Sequence, residues 1–440
     1  MSKVSYAGAK AIVVGYGLTG KAVSSFLKNQ GSQVVVFDDD PTSSHAGSDV
    51  EVRKVGDDFR RVLSEADLVV VSPGVPRLHQ VYSFDVEPIS ELELAYRSCD
   101  IPMVAVTGTN GKTTVTTQVT QMLSLAGYRA AAVGNIGTPA ISVVEKELDF
   151  LVVEASSFQL ATTKRFRPRV AAWTNFTPDH LDWHAGIDDY WSSKAKIFSN
   201  QSVGDSAVLN GNDPAVMAAT IPEAVETIRF GDGNYEFKIL NNQHLASHDM
   251  PFIALSELPR RLPHDLENAL ASSAIVDRLG VDLNIAAEVL SNFRGLPHRV
   301  ELVTTIGGIS YFNDSKATTP ASVVAALSGF ESAVLIAGGK NKGLDLSPLR
   351  AIASHLRGLV SIGDSREEVA LVFSGIEGLT VLTADSMKEA VFAARSLARA
   401  GDAVILSPGC TSFDWYGSYG ERGEDFRNIV LSMTGEGGVQ

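Results

Sequence analysis

Short apolar runs, each closed by a polar turn, recur along the whole chain. Ala9–Val14, Val34–Phe37, Leu68–Val71, Pro102–Val106, Phe150–Val153, Val170–Thr174, the run opening at Ile309, Ala333–Ala337 and Val404–Leu406 are built mostly from Val, Ile, Leu and Ala. Their hydrophobicity is continuous, as expected of strands buried on both faces of a parallel sheet. Helix-compatible stretches lie between them: the run to Leu27, Glu91–Asp100, Thr114–Leu125, Asp189–Phe198 and a helix following His264–Ala269. Strand alternating with helix predicts an α/β protein built on doubly wound sheets. At 440 residues the chain is too long for one core. Boundaries are placed near Cys99 and at the linker Phe293–Glu301, giving domains 1–98, 99–297 and 298–440.

The chemistry collects in the turns. Strand Pro102–Val106 runs into Thr107-Gly108-Thr109-Asn110-Gly111-Lys112-Thr113-Thr114 and then a helix. Glycines there let backbone N–H groups close on phosphate oxygens, and the helix N-terminus adds positive potential. Lys112 can reach the β- and γ-phosphates and the Thr113 hydroxyl can ligate Mg²⁺. The loop is shorter than the common G-x-x-x-x-G-K-[ST], whose first glycine would fall at Val106. Glu154 closes an otherwise apolar strand beside this loop, where a Mg²⁺ ligand belongs; the plain alternative is a solvated strand end. Asn175–His184 packs Asp179, His180, Asp182 and His184 into one loop, a set that could hold metal but is common in polar loops. On the helix that follows, Lys194 shares a face with Tyr190, Ile197 and Phe198, whereas Lys196 points away. A lysine so placed ordinarily snorkels to the edge.

The first turn carries a second fingerprint, Gly15-Tyr16-Gly17-Leu18-Thr19-Gly20, with Asp38 closing the next strand. Glycines at this spacing, with an acid about 20 residues on, suit a dinucleotide, so an NAD-binding domain is the competing reading. The acidic cluster Asp38-Asp39-Asp40 and the separate phosphate loop count against it.

The net charge of −14 argues against a nucleic-acid partner. No apolar run is long enough to span a bilayer, and Met1–Lys10 lacks a signal-peptide core. Two cysteines, Cys99 and Cys410, fit a reducing compartment. A monomer in the cytoplasm is expected.

The shortened phosphate loop resembles that of the Mur ligase and folylpolyglutamate synthetase superfamily. The pieces G-N-I-G at 134–137, S-S-F-Q-L at 156–160, L-P-H-R at 296–299, N-D-S-K-A-T at 313–318 and the turn Ser407–Asp414 extend the resemblance to Mur ligases over all three thirds of the chain. It implies a Rossmann-like N-terminal domain, a central P-loop ATPase-like domain and a Rossmann-like C-terminal domain. It also implies an ATP- and Mg²⁺-dependent joining of D-glutamate to UDP-N-acetylmuramoyl-L-alanine through an acyl phosphate. Under that resemblance Gly17, Leu18, Thr19, Asp38 and Gly74 surround the uracil and pyrophosphate, and Asn135 and Ser156 also serve the UDP substrate. Gly108–Thr114, Asn268, Arg299 and Asp314 hold the nucleotide; alone, an arginine in a linker reads as a solvated charge. Thr318, Lys342, Ser412 and Tyr419 hold D-glutamate. Lys112, Glu154, His180 and Lys194 form the catalytic set, with Thr113, Glu154, His180 and a carbamylated Lys194 at the metal. A sister ligase for another amino acid and a regulatory nucleotide-binding module are the rivals.

Overall fold

The computed structural model describes residues 4–39, 50–56, 58–181 and 183–435, so Asp40 and Asp182 lie outside the described residues. The chain forms two compact units. One comprises Met1–Pro259 with Glu267–Phe293, the other Arg260–Leu266 with Arg294–Gln440.

The first unit carries two sheets. In the smaller, strands Glu51–Lys54, Gln33–Asp38, Lys10–Val14, Leu68–Val71 and Ile89–Ser90 lie side by side in that order, all parallel. Lys10–Val14 has the next strand in sequence on one side and Leu68–Val71 on the other. Their carboxyl ends therefore flank a topological switch point, where open α/β sheets bind ligands.

The larger sheet has nine strands. At its centre Met103–Thr107 lies between Phe150–Glu154 and Val170–Trp173, all parallel. Every residue of Met103–Thr107 and Val170–Trp173 is buried, which explains their unbroken apolar character. The far edge, Phe237–Leu240, His244–Ser247 and Met250–Ala254, turns antiparallel.

The second unit is a six-stranded sheet ordered Glu301–Ile306, Ile309–Asn313, Ala403–Leu406, Ala333–Gly338, Leu356–Ile362, Thr380–Ala384. Alternate residues of Ala333–Gly338 feed opposite cores, as the two-residue period of a strand requires. Leu335 packs with Val323, Leu349 and Val369 on one face. Val334 and Ile336 pack with Met387, Val391, Phe426 and Val430 on the other. Each of these fully buried side chains stabilises the sheet by about 1.5–3 kcal/mol.

Two sequence expectations shift. His264–Asn268 lies inside the helix Pro263–Arg278 rather than ahead of it. The expected helix over 189–198 is Ile187–Ala195 followed by a tighter turn at Lys196–Phe198.

Candidate active site

Strand Met103–Thr107 delivers the chain into Gly108, whose φ is +151°, and Gly111, whose φ is +83°, caps the helix Lys112–Leu125. Both glycines are also required by close approach. A Cβ at 108 would stand 2.0 Å from Thr174 Oγ1, and one at 111 would stand 2.3 Å from Asn268 Oδ1. The loop is tied from behind by the end of the neighbouring strand. Thr174 Oγ1 donates to Asn110 O at 2.6 Å, and Asn110 N donates to Asn175 Oδ1 at 2.8 Å. Thr109 Oγ1 donates to Thr177 O at 3.0 Å and touches Tyr190 Oη at 3.2 Å. Lys112 Nζ folds back over its own loop, donating to Gly108 O and Thr109 O, each at 2.8 Å. Thr113 is buried in the first helical turn, with Thr114 half-buried beside it.

Lys194 lies beneath this loop. It is 1 % exposed, its Nζ donates to Gly108 O at 2.7 Å, and it sits 4.6 Å from the centre of the Tyr190 ring. Burial, with the nearby Lys112 charge adding to it, drives the amine well below the ordinary lysine range; Asp179 opposes only in part. The inward face expected from helical spacing is thus a fully desolvated one. Lys196 is not left in solvent. It is half-buried and its Nζ donates to Ala161 O, at the end of the short helix Ser157–Ala161, whereas Lys194 reaches Gly108 O.

Glu154 is buried at the end of the adjacent strand. One carboxylate oxygen accepts from Asn135 Nδ2 at 2.8 Å; the other, Oε2, is buried with no hydrogen-bond partner among the described residues. His180 has φ +54° and packs its ring 4.7 Å from Phe158, with Asp179 Oδ2 3.5 Å from Nε2. His184, the second imidazole of that loop, is committed elsewhere: Nδ1 meets Asp189 Oδ2 and Nε2 meets Ser157 Oγ, both at 2.9 Å. Among the described residues no group of three or more His, Cys, Asp or Glu side chains is placed to hold a metal ion.

The switch point of the smaller sheet opens into a cavity of about 480 Å³, lined by Gly17, Leu18, Thr19, Asp38, Gly74 and Asn135. Gly15, at φ +88°, begins the turn, and a Cβ on Gly20 would stand 1.9 Å from Gly15 O. Asp38 accepts from Tyr16 N at 2.6 Å, so this carboxylate braces the glycine turn itself. Ser156 is folded into a capping box with Gln159, and it is Gln159 that lines the cavity.

In the second unit the three polar turns leave adjacent parallel strands. Asp314 is buried, accepting from Val300 N at 3.1 Å and from Ser407 Oγ at 2.7 Å. Burial pushes its carboxyl up to about 7, against the pull of Ser407, Val300 and Arg299. Ser412 is buried, Thr318 half-buried, and the exposed Lys342 holds its ammonium 5.3 Å from the Phe413 ring. Tyr419 is half-exposed, with Lys316 5.1 Å from its ring centre.

Sequence reasoning missed Thr174, Asn175, Tyr190 as a loop contact, Gln159 and Arg422. The first two had a legible signal, a hydroxyl and an amide at the end of the strand beside the phosphate loop. The others are placed only by packing.

Residues 9–85 match the Mur ligase MurD-like N-terminal domain, 106–276 the Mur ligase middle domain and 298–410 the Mur ligase glutamate ligase domain. The chain is 40 % identical to the UDP-N-acetylmuramoylalanine–D-glutamate ligase of Pelotomaculum thermopropionicum, over 96 % of this chain and 98 % of that one. It is 39 % identical to the enzyme of the same name from Geobacter metallireducens, over 98 % and 99 %. Among solved structures, MurF ligase from Thermotoga maritima in complex with ADP superposes with a TM-score of 0.61 at 16 % identity, covering 97 % of this chain and 96 % of that one. A pseudomurein peptide ligase type C from Methanothermus fervidus superposes with a TM-score of 0.62 at 18 % identity, covering 97 % and 100 %. Identity of this depth, running through all three domain matches in order, places the chain in the Mur ligase family.

Proposed function

We propose that this chain is an ATP-dependent ligase that joins D-glutamate to UDP-N-acetylmuramoyl-L-alanine, in the cytoplasm and as a monomer. One observation carries the nucleotide half. A phosphate loop with its lysine already over it shares a sheet edge with a Glu154 oxygen unpaired among the described residues and a fully buried Lys194. The amino-acid half is supported by the names of the full-length relatives and by the hydroxyls and cation of Thr318, Ser412 and Lys342. No helix among the described residues is long and apolar enough to cross a membrane, and Cys99 and Cys410 are both buried and not joined in a disulfide.

The chemistry follows from what a carboxylate lacks. It is a poor electrophile, so an oxygen of the L-alanine carboxylate first attacks the γ-phosphorus of ATP. The bond to the β-phosphate oxygen breaks and ADP leaves. The amine nitrogen of D-glutamate then attacks the carbonyl carbon of the acyl phosphate, inorganic phosphate departs, and the nitrogen loses its proton. The protein supplies position and charge. Lys112 and the N–H groups of Gly108–Thr113 hold the phosphates, and Asn268 backs Gly111. Arg299 and Asp314 are proposed as nucleotide contacts, as the resemblance implies. Asp38 and the glycines around it shape the cavity proposed for the uridine diphosphate.

The residues present fit a Mg²⁺ ion. It is a hard cation that binds through one or two carboxylates plus substrate phosphates, and Glu154 Oε2 is a buried carboxyl oxygen without a partner among the described residues. Thr113, His180 and a carbamate on Lys194 are proposed to complete that site. Bound there, the metal would neutralise phosphate charge.

ADP release measured with UDP-N-acetylmuramoyl-L-alanine and a panel of amino acids is expected to respond to D-glutamate far more than to L-glutamate, D-alanine or meso-diaminopimelate. Equal turnover with any of those three would favour a sister ligase. Calorimetry is expected to show the UDP substrate binding without ATP, and no heat from NAD. NAD bound tightly and displaced by the UDP substrate would overturn the reading of the N-terminal cavity.

A further inference from the structure

Arg422, on the helix Tyr419–Gly435, is 1 % exposed and forms no ion pair with a carboxylate among the described residues. Its guanidinium instead spans the turns that follow three adjacent strands. Nε donates to Ser315 Oγ at 2.9 Å and Nη2 to Ser315 O at 2.8 Å, both in the turn after Ile309–Asn313. Nη1 donates to Cys410 O at 3.2 Å, in the turn after Ala403–Leu406. The same Nη1 stands 3.1 Å from where a Cβ on Gly339 would be, in the turn after Ala333–Gly338. The helix comes this close because its next residue is Gly423, where a Cβ would stand 2.3 Å from His298 Nδ1. Ser315 Oγ, in turn, donates to Tyr419 O at 2.8 Å.

A buried charge is ordinarily matched by a contacting counter-charge, because desolvation is otherwise uncompensated. Three oxygens compensate Arg422 only in part. Burial pulls it down to about 10, with Asp414 the foremost opposing influence, so it stays protonated at neutral pH. It hydrogen-bonds the turns that carry Thr318 and Ser412 and packs against Gly339 in the turn that carries Lys342.

We propose that Arg422 is the positioning residue of the amino-acid site. It holds these three turns in one register, and its unmatched charge favours an incoming dicarboxylate. This rests on the reading that these turns receive D-glutamate. Arginine suits the task because its planar fork donates in several fixed directions at once, which a lysine cannot do.

The test is steady-state kinetics of the full chain with each substrate varied in turn. Arg422→Met is expected to raise the KM for D-glutamate by about tenfold or more, with the KM for ATP and for the UDP substrate changed by less than about twofold. Arg422→Lys, which keeps the charge and loses the fork, should fall between Met and wild type. Ser315→Ala keeps the arginine and removes one acceptor, so it should move the D-glutamate KM the same way by about threefold, and it carries the test should Arg422→Met not fold. An unchanged D-glutamate KM in Arg422→Met, a parallel rise in all three KM values, or a silent Ser315→Ala would overturn the proposal. Should wild type release no ADP in response to D-glutamate, the substrate reading fails visibly first. The same KM split is then read on the amino acid that does release ADP.

Discussion

Lys194→Arg and Lys194→Ala are each expected to lower ligation by about a hundredfold to a thousandfold, the scale of losing a group that stabilises developing phosphate charge. The side chain is fully buried, against the Gly108 carbonyl and near Lys112. Burial there disfavours the ammonium and so favours the neutral amine, the form that CO₂ can attack. The resulting carbamate would be an anion at a site where an ammonium would repel the metal. Arginine keeps a cation and cannot form the carbamate, which separates the two roles. Carbon-13 NMR after equilibration with labelled bicarbonate should show a carbamate signal that disappears in both variants. A fully active Lys194→Arg would sink the proposal.

The pH dependence has a definite sign. The folded-state value lies below the unfolded one, so the unfolded chain binds the extra proton between the two. Whatever stability the neutral amine allows is present above the unfolded value and is lost as pH falls towards the lowered one. Lys194→Met is therefore expected to be inactive without melting at a lower temperature.

Gly108→Ala should remove nucleotide binding and destabilise the first unit by roughly 2–4 kcal/mol, from backbone strain and overpacking together. At φ +151° an alanine is strained before any contact is counted, and its Cβ would then meet Thr174 Oγ1 at 2.0 Å. Thr174 cannot yield freely, because its hydroxyl holds Asn110 O, and Asn110 in turn is held by Asn175. Thermal melting with and without ATP is the measurement. Wild type should melt higher with ATP present, and Gly108→Ala should show a lower melting temperature that ATP does not raise. A variant that melts and responds like wild type would mean that the loop is slack.

Gly17, Leu18, Thr19, Asp38, Gly74 and Asn135, far apart in the chain, line one cavity; the resemblance grouped them, whereas period and spacing made legible only the glycine turn, Asp38 and the strand-end turn at Gly74. Gly17, Asp38 and Gly74 stand at or just past the carboxyl ends of three parallel strands of the smaller sheet, which bring them to one edge; Asn135 follows a strand of the larger sheet. The inward face of Lys194 was legible from helical period, since Tyr190 and Ile197 lie four back and three on. Period did not show what Lys196 would meet. Its helix tightens at Lys196–Phe198, and the carbonyl that receives its ammonium belongs to Ala161, 35 residues earlier.

By itself, the sequence determined the α/β class, the glycine loops and the side of each strand that carries chemistry, because these depend on residues a few positions apart. Only the tertiary structure decided which polar groups are left unmatched. Among the described residues Glu154 Oε2 is without a partner, since Asn135 reaches just one of its oxygens, and Arg422 donates to oxygens of Ser315 and Cys410 rather than to a carboxylate. Whether a buried charge is paired depends on every element packed around it, and those elements come from distant stretches of the chain.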